Sequence, residues 1–191
     1  MTTYVLTGGI QGTAAERHVV AATMTPAFHD VPAWRFRILP GQIRVEADAT
    51  RLRTHADPDG RSVHLNCGAA LLNLRLAAAQ LSREPVVRLL PDRAAPTLLA
   101  TVRIAGPHRT APFERLLYAT TLRTPLSPTG ARPPGPVLNE LVEAARLEGG
   151  TLYLAGEGEG EREGKDAVLA TRGDGPTAWL RAGQALQRAS S

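Results

Sequence analysis

From Trp34 to Leu39 apolar and polar positions alternate with a period of two: Trp34, Phe36 and Ile38 interleave with Arg35 and Arg37. Such a period buries one face and wets the other, the signature of a strand. Pro40 and Gly41 turn the chain, and Ile43, Val45 and Ala47 then alternate with Arg44, Glu46 and Asp48. The two runs predict a β-hairpin with one apolar and one charged face. The period becomes helical after Asp57-Pro58-Asp59-Gly60, a run of turn formers. Over Cys67–Leu81, the residues Cys67, Leu71, Leu74, Ala78 and Leu81 share one face, and Leu72 and Leu76 widen it. This predicts a helix buried on most sides.

Two more strands are expected at Val86–Leu90 and Leu98–Ile104, parted by a turn at Pro91-Asp92. Prolines from Pro107 to Pro136 leave room for one short helix, Phe113–Leu122. A helix follows over Val137–Leu147, with Val137, Leu138, Leu141, Val142 and Ala145 as its apolar face, ended by Gly149-Gly150. Strands are predicted at Thr151–Ala155 and Ala167–Thr171. The Gly/Glu run from Gly156 to Glu161 between them reads as a solvated loop. Gly173-Asp174-Gly175-Pro176 turns into a closing helix, Thr177–Ala189. Upstream, Thr13–Thr25 allows a short helix that Pro26 ends. Hairpins packed with helices define an α+β class with an antiparallel sheet. A faint internal repeat is visible: the helices at Cys67–Leu81 and Trp179–Gln187 each contain a Gly next to Ala and follow a Gly-containing turn.

Composition narrows the partners. The 191 residues fit one ordinary domain or two small packed halves, and a 43% hydrophobic content supports a core. With only 4% aromatic residues, Leu, Val and Ala must fill it. The net charge of +4 is carried almost wholly by arginine, since Lys165 is the single lysine. Arginine forks suit anionic ligands such as phosphates, but the same excess follows from a base composition that favours arginine codons. There is no basic run with interleaved aromatics, so nucleic acid is not expected as a partner. Cys67 is the sole cysteine, which excludes an intrachain disulfide. No leader-like pattern occupies Met1–Ala22 and no apolar stretch reaches membrane-spanning length, so we expect a cytoplasmic protein without membrane contact.

Four stretches resemble one family. Thr25-Pro26-Ala27-Phe28-His29-Asp30-Val31-Pro32-Ala33-Trp34-Arg35-Phe36 resembles a segment reading A-P-S-x-H-N-T-Q-P-W-R-F in the Acg branch of the nitroreductase-like FMN flavoproteins. Asp57 to Arg61 with His64, and Cys67 to Leu76, resemble the stretch that follows it there. Thr121-Leu122-Arg123-Thr124-Pro125-Leu126 is similar to the T-N-R-R-P-F signature that opens the second repeat. Gly173 to Pro176 with Trp179 to Leu186 resembles the helix inside that repeat. The resemblance implies a nitroreductase-like α+β fold of two units, 1–105 and 106–191, the second truncated. It implies FMN held between units, with NAD(P)H as electron donor and a homodimer or a related subunit as partner.

By the same resemblance the cofactor-binding candidates are Pro26, Ala27, His29, Asp30, Thr121 and Arg123. No catalytic residue is implied, because the flavin itself carries hydride chemistry. The departures are as telling. Where the family has Ser, Asn, Thr and Gln, this chain has Ala27, Asp30, Val31 and Pro32. Ala and Val have no side-chain donor, Pro lacks even a backbone one, and an ionised Asp30 would oppose the negative charge of a reduced flavin. An alternative therefore stands beside the enzyme: a non-enzymatic flavin-storing or flavin-free partner protein on the same scaffold.

Other residues read more plainly. His29 divides between a flavin neighbour and a loop hydrogen-bonder, while His64 and Cys67 read as structural. His18, His55 and His108 share no ligand spacing, so no metal site is expected. Residues 101–132 hold five arginines, Arg103, Arg109, Arg115, Arg123 and Arg132, against one acid, Glu114. That segment is either an anion site centred on Arg123 or a set of solvated side chains.

Overall fold

A computed structural model describes residues 34–39, 41–48, 57–121, 134–154, 167–171 and 174–190. The first hairpin forms as its alternation predicts. Strand β1 (Trp34–Leu39) pairs antiparallel with β2 (Gln42–Ala47), in register from Trp34↔Ala47 to Leu39↔Gln42. Gly41 turns it at φ +68°. Trp34, Phe36, Ile43, Val45 and Ala47 are buried, and the Trp34 and Phe36 rings meet edge to face at 4.8 Å. On the charged face, Glu46 lies 3.4 Å from Arg35 Nε and 3.8 Å from Arg37 Nε.

Strands β3 (Arg83–Leu89) and β4 (Leu98–Pro107) complete an antiparallel sheet in the order β1-β2-β4-β3. Their pairing runs on to Arg83↔Pro107, past an irregularity between Arg83 and Pro85. The added residues Arg83, Glu84 and Pro85 carry no apolar alternation, so the pattern alone stops at Val86. At the other end Leu90 takes φ +44°, outside strand geometry, and β3 stops at Leu89 rather than at the expected Leu90.

Helix α1 (Arg61–Gln80) covers the sheet, burying Val63, Cys67, Ala70, Leu71 and Leu74 against β1, β2 and β4. It starts six residues before the expected Cys67. The first turns present Arg61, Ser62, His64 and Asn66, which hide the helical period. The Asp57 carboxylate holds this end by accepting the Ser62 amide at 3.0 Å and the Ser62 hydroxyl. Helices α2 (Pro112–Thr121) and α3 (Gly135–Leu147) follow close to their predicted bounds. In α2 the Glu114 carboxylate accepts the Ala111 amide at 2.7 Å, the reciprocal half of a capping box. Strands β5 (Gly150–Leu154) and β6 (Ala167–Thr171) form a separate antiparallel pair, and α4 (Pro176–Ser190) closes the described chain. The fold is α+β with an antiparallel sheet and packed helices, as expected.

Helices α1 and α4 cross in backbone contact. A Cβ at Gly68 would stand 2.0 Å from the Leu180 carbonyl oxygen, and one at Gly183 would stand 1.9 Å from that of Leu65. Only glycine fits at either point. The two collisions are reciprocal, and they make the faint sequence repeat concrete. At a constant offset of 115 residues, Asp59, Gly60, Leu65, Gly68, Ala70 and Leu71 match Asp174, Gly175, Leu180, Gly183, Ala185 and Leu186. Gly60 and Gly175 both take positive φ, +68° and +100°, and each accepts the amide four residues on, from His64 at 3.1 Å and Trp179 at 3.0 Å. Those two equivalent aromatic rings face each other at 5.7 Å.

Candidate functional site

Of the six candidate cofactor residues, Pro26, Ala27, His29, Asp30 and Arg123 lie outside the described residues. Thr121 is buried as the last residue of α2, and its hydroxyl donates to the Tyr118 carbonyl at 2.7 Å. Toward a phosphate it could only accept. The segment that precedes the sheet ends on Trp34, whose buried indole Nε1 has no hydrogen-bond partner among the described residues. An unpaired buried donor costs about 1–3 kcal/mol unless an acceptor arrives.

Of the arginines of the 101–132 segment, Arg103, Arg109 and Arg115 are described, and no site shared by these three is seen. Arg103 is exposed on β4, Arg109 is exposed in the loop after it, and Arg115 donates to the Thr110 carbonyl at 3.1 Å. Arg132 lies outside the described residues. His64 is structural: its Nδ1 lies 2.6 Å from the Gly60 carbonyl. Cys67 is fully buried and its thiol pKa is pushed up by that burial, the opposite of an activated nucleophile. Among the described residues no group of three or more His, Cys, Asp or Glu could hold a metal.

What the fold does assemble is a set of arginines from other segments. Helix α3 ends at Glu148 and Gly149, and Gly149 takes φ +78°. Glu148 is buried yet fully engaged. Its Oε1 accepts Arg188 Nε at 2.8 Å and Nη2 at 2.5 Å, and its Oε2 accepts Arg75 Nη1 at 2.5 Å. Arg75 Nη1 also donates to Gln184 Oε1 at 2.8 Å. This ties α1, the end of α3 and α4 into one polar knot. Beside it opens a cleft of about 590 Å³, lined among others by Arg75, Arg181, Gln184, Val87, Leu89 and Leu147. The knot escapes sequence reading because its bonded partners are 40 to 109 residues apart and share no period.

A second polar cluster sits where β3 meets α2. His108 Nδ1 lies 2.8 Å from Glu84 Oε2, and His108 Nε2 lies 3.0 Å from Glu114 Oε2. The hydrogen bond to Glu114 raises the pKa of His108, burial works against this, and Glu84 adds to the rise. With a carboxylate at each nitrogen, both must carry protons, so the geometry is that of an imidazolium.

No family model matches the chain. Its similarity is to the nitroreductase class: two proteins from two strains of Mycobacterium tuberculosis, each named "Putative NAD(P)H nitroreductase". Each is 31% identical over 83 residues, which is 44% of this chain. The match spans 24% of each relative's length, about a quarter. Among the described residues no helix is long and apolar enough to cross a membrane.

Proposed function

We propose that this chain is a nitroreductase-like oxidoreductase of the Acg branch, holding FMN at the junction of two units, 1–105 and 106–191, and taking hydride from NAD(P)H. The observation that carries this is the 31% identity to proteins named as NAD(P)H nitroreductases. Two features of the chain support it. The orphaned indole N–H of Trp34 ends the segment that resembles the flavin motif, and a ring acceptor would satisfy it. The reciprocal glycine crossing also joins two equivalent helices, which is compatible with a scaffold of two related units.

In this reading Pro26, Ala27, His29 and Asp30 border the flavin, while the phosphate falls to Arg123, since Thr121 spends its proton on Tyr118. Bound there, FMN supplies the hydride chemistry and the protein supplies orientation. A homodimer, or pairing with a related subunit, in the cytoplasm belongs to the same proposal.

The test is direct. The purified protein should show a flavin absorbance band or take up added FMN, and should then oxidise NAD(P)H. A colourless protein that binds no FMN sinks the proposal. A second reading, a flavin-storing or flavin-free partner protein, draws on Ala27, Val31 and Pro32 replacing polar groups and on Asp30 introducing a charge. A yellow protein inert toward NAD(P)H selects the storage form of it.

A further inference from the structure

We infer that the cleft between β3, the end of α3 and α4 is a binding site for a small organic anion: a carboxylate or phosphate carried on an apolar body. Arg181 is the centre of the case. Its guanidinium has no hydrogen-bond or ion-pair partner among the described residues, although its helix is pinned by the Gly183 contact two residues on. Its stem is placed as well: a Cβ at Gly149 would stand 3.3 Å from Arg181 Cδ. Glu148, the one carboxylate among the described residues that line the cleft, cannot serve it. Both oxygens of Glu148 are taken, by Arg188 and Arg75. The charged residues that line the cleft are Arg75, Arg181 and Glu148, two cations against one carboxylate, and that carboxylate is also bonded to Arg188 from outside the lining.

The donors have the geometry an anion needs. Among the described residues Arg75 is bonded through Nη1, which leaves its Nε and Nη2 hydrogens available to a ligand. Gln184 gives its carbonyl to Arg75, and its amide protons have no acceptor among the described residues. Thr177 adds a hydroxyl to the lining. The opposite requirement, an apolar wall, comes from the half-buried Val87 and Leu89 and from Leu147, which is 66% exposed. A few polar groups beside an apolar surface, in an open cleft of this size with Arg181 exposed at its wall, suit the anionic head of a small molecule. The Arg fork sets the preference for a planar anionic group.

This inference does not depend on the flavin reading, because it is argued from side chains of α1, β3, α3 and α4 and uses none of the proposed flavin contacts. The test titrates the full chain with benzoate and, separately, with inorganic phosphate, following amide shifts by NMR. Benzoate should bind with a Kd on the order of 1 mM and shift the Gln184 side-chain amide and the Gly149 backbone amide. Arg181→Gln should weaken benzoate about tenfold or more, the worth of a charge-assisted pair. Leu147→Ser, at an exposed position, should weaken benzoate a few-fold and leave phosphate unchanged. No shift at Gln184, or equal benzoate affinity in Arg181→Gln, overturns the site. Phosphate binding as tightly as benzoate overturns its apolar half.

Discussion

His108 shows how one side chain can make a contact depend on pH. Its two nitrogens face Glu84 and Glu114, and its pKa is raised chiefly by the bond to Glu114. For Glu114, burial pushes upward, but the Ala111 amide and His108 outweigh it and the net shift is downward. A group with a raised folded pKa stabilises fully below its ordinary value and loses that contribution as pH rises through the raised one. A group with a lowered pKa does the reverse and fails as pH falls through the lowered value. The clasp therefore holds best between about 4.5 and 6.5, the ordinary values of the two groups. Thermal melts across pH should show the wild type losing stability on the alkaline side of this window, and His108→Asn should flatten that slope. Identical slopes in the two proteins would rule the clasp out as a contributor. From sequence His108 could be dismissed as a metal ligand, but its two carboxylate partners come from β3 and α2 and have no shared spacing.

At the level of elements, hydrophobic period together with turn formers and prolines located every helix and strand that the described residues contain. It missed boundaries where polar residues continue an element, as at Arg61–Asn66 and Arg83–Pro85. Those extensions are held by hydrogen bonds and pairing rather than by burial, which leaves no apolar signature. The crossing of α1 and α4 was visible only as two glycines next to alanines. Its consequence is large. Alanine favours helix over glycine by about 1 kcal/mol, yet Gly68→Ala or Gly183→Ala places a methyl at 2.0 Å or 1.9 Å from a backbone carbonyl. Overlap with backbone has no rotamer to relieve it, so each change should cost about 3 kcal/mol or more. Gly106→Ala on β4, with open space around it, should stay within about 0.5 kcal/mol of wild type. Urea denaturation of the three variants measures this; parity of Gly68→Ala with Gly106→Ala would contradict the crossing.

Across the whole molecule, Glu148 joins what the chain keeps far apart. It binds Arg75 of α1 and Arg188 of α4, both with little exposure of the carboxylate. Removing one member of a buried pair strands the other charges, at a cost of about 3–5 kcal/mol. Glu148→Gln leaves Arg188 buried without its counter-ion and should lower stability by roughly 3 kcal/mol, the lower end because Arg75 retains access to water. Denaturation that leaves the variant within 1 kcal/mol of wild type would show the knot to be energetically idle. The stretches that resemble the nitroreductase-like family were legible in the sequence, whereas the arginine cleft was not, since only the folded chain brings Arg75 and Arg181 to one wall. The helix crossing carries one more implication. Most packing contacts can drift through paired replacements, a larger residue here and a smaller one there. Leu-x-x-Gly at 65–68 and at 180–183 has no such freedom, because each half abuts main chain that every amino acid shares. As sequences of this kind diverge, that doubled spacing should outlast the loops, and kin should be easier to find by it than by overall similarity.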